Sequence, residues 1–148
     1  MNTSDEVSYA AEKEIIARFY RAIELGDMSI LESAVTPDWQ YIPGASGQAA
    51  GLQQMAPMLA SLSHALPDMK ISILDVLVHD AMVAVRAKVS GTQSGPLMGI
   101  PATSKFVDFA IHSFHEFRDG LIAKTWHLED WLGVFRQIGE LPPGLAGG

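Results

Sequence analysis

Apolar residues recur at helical spacing near the start of the chain. Val7, Ala11, Ile15, Phe19 and Ile23 fall on one face at successive four-residue steps, and Ile16 and Ala22 widen it. Thr3 and Glu6 have the spacing of a capping box, which predicts a helix beginning there. Leu25-Gly26-Asp27 ends that helix on a glycine and offers an aspartate to cap the next. The second helix is short, turns Ile30, Leu31 and Ala34 inward and ends before Pro37. Trp39 to Ile42 reads as a short strand, and Gly44 to Gly51 as a loop. Leu52, Met55, Leu59, Leu62 and Leu66 predict a third helix, which Pro57 must enter in its first turns or kink, and Pro67-Asp68 stops it.

From there the period changes. Ile71, Ile73 and Leu77, then Val83, Val85, Ala87 and Val89, lean towards alternation around a His79-Asp80-Ala81 turn. Gly91 to Ser104, with its glycines and prolines, reads as a loop. A long strand from Lys105 to Phe117 meets another from Leu121 to Glu129 through Asp119-Gly120, the strongest hairpin signal in the chain. Asp130 can cap a last helix carrying Leu132, Phe135 and Ile138. The order predicts an α+β fold with an antiparallel meander and no alternating βαβ units. Such a sheet, strongly curved and closed on one side by helices, forms a cone around an apolar pocket.

Composition narrows the class. At 148 residues and 48% hydrophobic, the chain reads as one domain over residues 1–148, with a core from about residue 7 to 139 and a frayed tail over 140–148. The absence of cysteine excludes disulfides, zinc-thiolate sites and thiol catalysis. Seventeen acidic residues against ten Lys and Arg, a net charge of −7, argue against nucleic acid or an anionic membrane as partner. Met1–Glu6 is polar and acidic, unlike a signal peptide, and no stretch approaches the roughly 18 to 20 apolar residues of a membrane span, so the chain reads as cytoplasmic.

Candidate chemistry follows from the hairpin. A two-residue turn at Asp119-Gly120 pairs His112 with His127 and Ala110 with Glu129, with opposed Cβ atoms about 4.5 to 5.5 Å apart. His112, His127 and Glu129 then share one face, and Ile111, Phe117, Ile122, Trp126 and Leu128 form the core face; one extra residue would undo this pairing. Two close imidazoles do not both carry charge, so one suits proton abstraction near neutrality, with Glu129 to orient it. The same residues are also what the solvated face of an ordinary sheet displays, and two histidines with a carboxylate are the donor set of a facial metal triad. Asp130 reads equally as a helix cap. Trp39 and Tyr41 point to one face, Trp39 reading as core and Tyr41 as pocket wall, while Met55 and Met58 suit an adaptable pocket mouth. His115 shares the Ile111/Phe117 face near its outer end, opposite Lys124, and reads as a surface residue. No Gly-Lys-Ser/Thr and no nucleophile elbow is present.

The run Gly91-Thr92-Gln93-Ser94-Gly95-Pro96-Leu97-Met98-Gly99-Ile100-Pro101-Ala102-Thr103 resembles the GTHxGxxxGxPPTG segment of SnoaL-like polyketide cyclases. Pro67-Asp68, Arg118-Asp119-Gly120-Leu121-Ile122 followed by Trp126, and Leu132 to Gly139 resemble the same family, so the likeness runs from about Glu14 to Gly139. It implies the NTF2-like α+β cone, usually a homodimer, with a small apolar or aromatic substrate held between sheet and helices. It also implies an intramolecular aldol ring closure driven by an aspartate acid/base, with neither cofactor nor metal. The chain departs from the family in having Gln93 where His is common and Ala102 in place of the second proline. A frequent family aspartate aligns with His127, and another is retained as Asp130. The resemblance implies His127 or Asp130 as base; joined to the hairpin pairing and the strand alternation, it makes His112 the donor to the enolate oxygen and puts Tyr41, Trp39, Trp126, Glu129 and Met55 around the substrate. An isomerase, dehydratase or epoxide hydrolase on the same cone, or a binding protein without chemistry, are the alternatives.

Overall fold

The computed structural model describes residues 9–42 and 49–145. The expected Thr3–Glu6 capping box and most of the Gly44–Gly51 loop lie outside the described residues. In chain order the elements are α1 (Ala10–Leu25), α2 (Met28–Ala34), β1 (Val35–Ile42), α3 (Leu52–Ala65), β2 (Lys70–His79), β3 (Met82–Thr92), β4 (Phe106–Arg118), β5 (Leu121–Glu129) and α4 (Trp131–Ile138). The strands form one curved sheet in the order β1-β5-β4-β3-β2, antiparallel except that β1 runs parallel to β5. This is the α+β arrangement the periodicity predicts.

Local chemistry explains the boundaries. Gly26 closes α1 in the left-handed conformation, and the Asp27 carboxylate accepts from the amides of Ser29 and Ile30 to open α2. β1 begins at Val35, earlier than Trp39, and passes through Pro37. A proline is tolerated here because β1 is an edge strand and its pairing with β5 is irregular between Val35 and Gln40. Pro57 sits inside α3.

The core fills the space between one sheet face and the helices. Ile16, Phe19 and Tyr20 of α1, Trp39 of β1, Leu59 of α3 and Val134 of α4 pack with Val83, Val85, Val107, Ile111 and Ile122 of the sheet. Beyond α4, Pro142 is buried and Pro143 lies against Gly99. No described helix is long and apolar enough to cross a membrane.

The β4–β5 hairpin decides which side chains enter the fold. Asp119 and Gly120 both have positive φ (53° and 78°), the geometry of a two-residue type I′ turn, and next to it Phe117 pairs with Ile122 as expected. The register then shifts. Ala123 is an extra residue in β5, so Glu116 pairs with Lys124, His115 with Thr125, Ser113 with His127 and Ile111 with Glu129. This bulge changes the β4 residues that share a face with His127. His112 falls opposite Leu128 on the outer face, and the expected His112–His127 pair does not form. Leu128 (72% exposed) and Trp126 also point away from the core face assigned to them, whereas His115, expected at the surface, is fully buried.

Candidate active site

A cavity of ≈ 420 Å³ opens between the inner sheet face, α3 and the segment between β3 and β4. Its walls are apolar: Met55, Leu59 and Leu62 from α3, Ile71, Val89, Phe109 and Ile111 from the sheet, and Trp131 from the first position of α4. The Phe109 and Trp131 rings lie 5.2 Å apart and make one side. Gln93 braces the segment between β3 and β4 that adds to the lining. Its buried amide nitrogen donates to the Ile100 and Pro101 carbonyls (3.2 and 3.1 Å), and its oxygen accepts from the Thr103 amide at 3.1 Å. These bonds hold the Leu97–Ile100 turn, where Met98 and Gly99 adopt positive φ, and bring Pro96, Leu97 and Met98 to the cavity. A side chain with a donor and an acceptor on one plane satisfies both sides of the turn.

Four lining residues are polar: Tyr41, Ser61, His127 and Glu129. Three of them converge. His127 Nε2 is 2.8 Å from Glu129 Oε1, and the His127 ring lies 5.5 Å from the Tyr41 ring. His127 Nδ1 is 2.7 Å from Ser113 Oγ on β4. Burial raises the Tyr41 phenol above its ordinary value of 10.0, and the neighbouring Glu129 charge raises it further, so Tyr41 stays protonated and can donate.

Behind these groups lies a second polar cluster. Tyr20 OH is 2.9 Å from His115 Nε2, His115 Nδ1 is 2.9 Å from Thr125 Oγ1, and the Trp39 indole donates to the same Thr125 oxygen at 3.1 Å. Burial, with a smaller contribution from His127, lowers the His115 pKa from 6.5 to about 3. Burial also raises the Tyr20 phenol, partly offset by a hydrogen bond with Ser113. His115 is therefore a neutral, internally satisfied imidazole.

Of the residues singled out from sequence, Tyr41, Met55, His127 and Glu129 line the cavity. Trp39 is buried behind Tyr41, with ring centroids 5.9 Å apart. Trp126 lies on the outer face under Lys124, and His112 is exposed there. With His112 across the sheet, the metal triad of His112, His127 and Glu129 is not assembled. Asp130 is exposed and caps α4, its carboxylate accepting from the Gly133 amide at 2.9 Å. Sequence reasoning missed Ser113 and Trp131, and it read the buried His115 as a surface residue. The alternation of Val107, Phe109 and Ile111 marks the inward parity of β4, which Ser113 and His115 continue; following it past Ile111 would have found Ser113.

The SnoaL-like polyketide cyclase model matches residues 14–138. Among solved structures, the chain is similar to TsrD from Streptomyces laurentii at 26% identity and a TM-score of 0.81, over 92% of this chain and 100% of that one. It is similar to IdmH from Streptomyces antibioticus at 25% identity and a TM-score of 0.77, over 86% of this chain and 97% of that one. A SnoaL-like protein from Jannaschia sp. CCS1 shares 25% identity and a TM-score of 0.78, over 89% of this chain and 94% of its own. No curated protein matches at a significant level.

Proposed function

Because the chain belongs to the SnoaL-like polyketide cyclase family, we propose that it closes a ring in a polyketide-like or aromatic keto substrate by intramolecular aldol addition, using acid–base chemistry of its own side chains. The observation that carries this reading is the His127–Glu129 pair, 2.8 Å apart beside Tyr41, at the polar end of an otherwise apolar cavity. The pair takes a proton from carbon next to a carbonyl. The Tyr41 phenol, held protonated by burial, donates to the developing enolate oxygen. The enolate carbon then attacks a second carbonyl of the same folded molecule. Acid–base assistance of this kind contributes about 10² to 10⁴-fold. The apolar walls supply the rest by folding the substrate and excluding water.

Asp130 and His112 have no part in this scheme, because one caps a helix outside the cavity and the other lies on the outer sheet face. The same outer face carries Phe106, Phe114 and Leu128 exposed, and this reading makes it the contact of a homodimer.

The test is turnover of a bicyclic aromatic carrying a β-keto ester side chain next to a ring-bound acyl group, whose ketone is the second carbonyl, with the product detected as an isomer of unchanged mass or one water lighter. Glu129→Gln should lower the rate by about 10² or more. Saturable quenching of tryptophan fluorescence without turnover would replace catalysis by binding. Neither quenching nor turnover would remove the substrate class.

A further inference from the structure

We propose that the proton acceptor of the acid–base pair is the Glu129 carboxylate, and that His127, with Ser113 behind it, is a positioning residue. This rests on the reading above.

Nδ1 of His127 is hydrogen-bonded with Ser113 Oγ at 2.7 Å, and Nε2 makes an ion-pair contact with Glu129 Oε1 at 2.8 Å. A neutral imidazole has one donor and one acceptor, and an ionised carboxylate only accepts. The hydrogen therefore sits on Nε2, and the remaining lone pair, on Nδ1, takes the Ser113 hydroxyl proton. That lone pair points away from the cavity, towards a serine that is 1% exposed and not among the lining residues. His127 thus presents no basic site to a substrate. The same placement keeps Ser113 from acting as a nucleophile, although Ser113, His127 and Glu129 form a chain of the kind hydrolases use.

Glu129 differs in both respects. Its contact with His127 uses one oxygen and leaves the other, and its side chain is 21% exposed against 9% for His127. The proton balance closes on it alone. The C–H proton moves to a carboxylate oxygen, the C–H bonding pair becomes the enolate, and ring closure turns the second carbonyl into an alkoxide. The alkoxide then takes the proton back from Glu129. The product is an isomer of the substrate, the carboxylate is restored, and no co-reactant enters.

Two measurements test this independently. The first needs no substrate: ¹⁵N spectra of the imidazoles, with His127 assigned by its loss in His127→Gln, at a pH where the ring is neutral. The expected result is a protonated Nε2 and an unprotonated, hydrogen-bonded Nδ1. In Ser113→Ala the tautomer should persist while the Nδ1 resonance shifts, and Ser113→Thr should return it. A neutral ring protonated at Nδ1 overturns the proposal even if the protein is an active cyclase. The second uses the β-keto ester. Glu129→Gln should lose about 10² or more in kcat. His127→Gln, whose amide can still donate to Glu129, and Ser113→Ala should each lose only about tenfold in kcat with KM little changed, and Ser113→Thr should recover the loss. If His127→Gln is the inactive variant and Glu129→Gln retains activity, histidine is the base and the proposal fails.

Discussion

His115 is enclosed between α1 and the sheet, with its nitrogens on the hydroxyls of Tyr20 and Thr125, and its pKa falls from 6.5 to about 3, chiefly through burial. The folded protein keeps this ring neutral where the unfolded chain takes up a proton. Unfolding therefore binds protons, and the stability His115 supports is present above its ordinary pKa and declines as pH falls from about 6.5 towards about 3. The whole interval corresponds to about 5 kcal/mol, and roughly half of it falls between about pH 7 and about pH 4.5. Replacing His115 by glutamine removes the titration while keeping an acceptor and a donor. At neutral pH the variant should be less stable by about 1 to 3 kcal/mol, because its hydrogen bonds are poorer. Its loss on acidification should be smaller than the wild type's by about 2 to 3 kcal/mol, so the two curves converge. Urea unfolding followed by tryptophan fluorescence at fixed protein concentration measures both, with the buried Trp39 as a reporter bonded to the same threonine. Parallel curves across this range, or a His115 resonance titrating near the ordinary histidine value, would refute the reasoning.

Asp130→Asn should leave cyclisation and stability nearly unchanged because asparagine caps as well, whereas Asp130→Ala should cost about 1 kcal/mol in urea unfolding with little effect on rate; a large rate loss in Asp130→Asn would return the base role to this aspartate. Leu128→Glu, on the outer face, should give a monomer by light scattering at micromolar concentration while the cavity, on the opposite face, still binds ligand; an unchanged mass would move the dimer contact elsewhere or remove it.

Much of this was written in local chemistry. The helical spacing of Ile16, Phe19 and Ile23, the Gly26-Asp27 punctuation and the Asp119-Gly120 turn depend on neighbours a few residues away, and each element they predict is present. The parity of Trp39 and Tyr41 placed both rings inside, and the order of elements was enough for the α+β class. What the sequence could not carry was the bulge at Ala123. Nothing about that residue distinguishes it locally, yet it slips the pairing by one residue. Ser113 replaces His112 beside His127, and Trp126 and Leu128 go from the core face to the outer face. The candidate site has the same origin. Tyr41, Met55, Met98, His127 and Trp131 come from five separate segments, and only the curvature of the sheet and the packing of α3 and the Gln93-braced turn bring them around one cavity. Patterns along the chain report which face a residue occupies within its own element. Which faces meet depends on register and closure, and those are decided by long-range pairing.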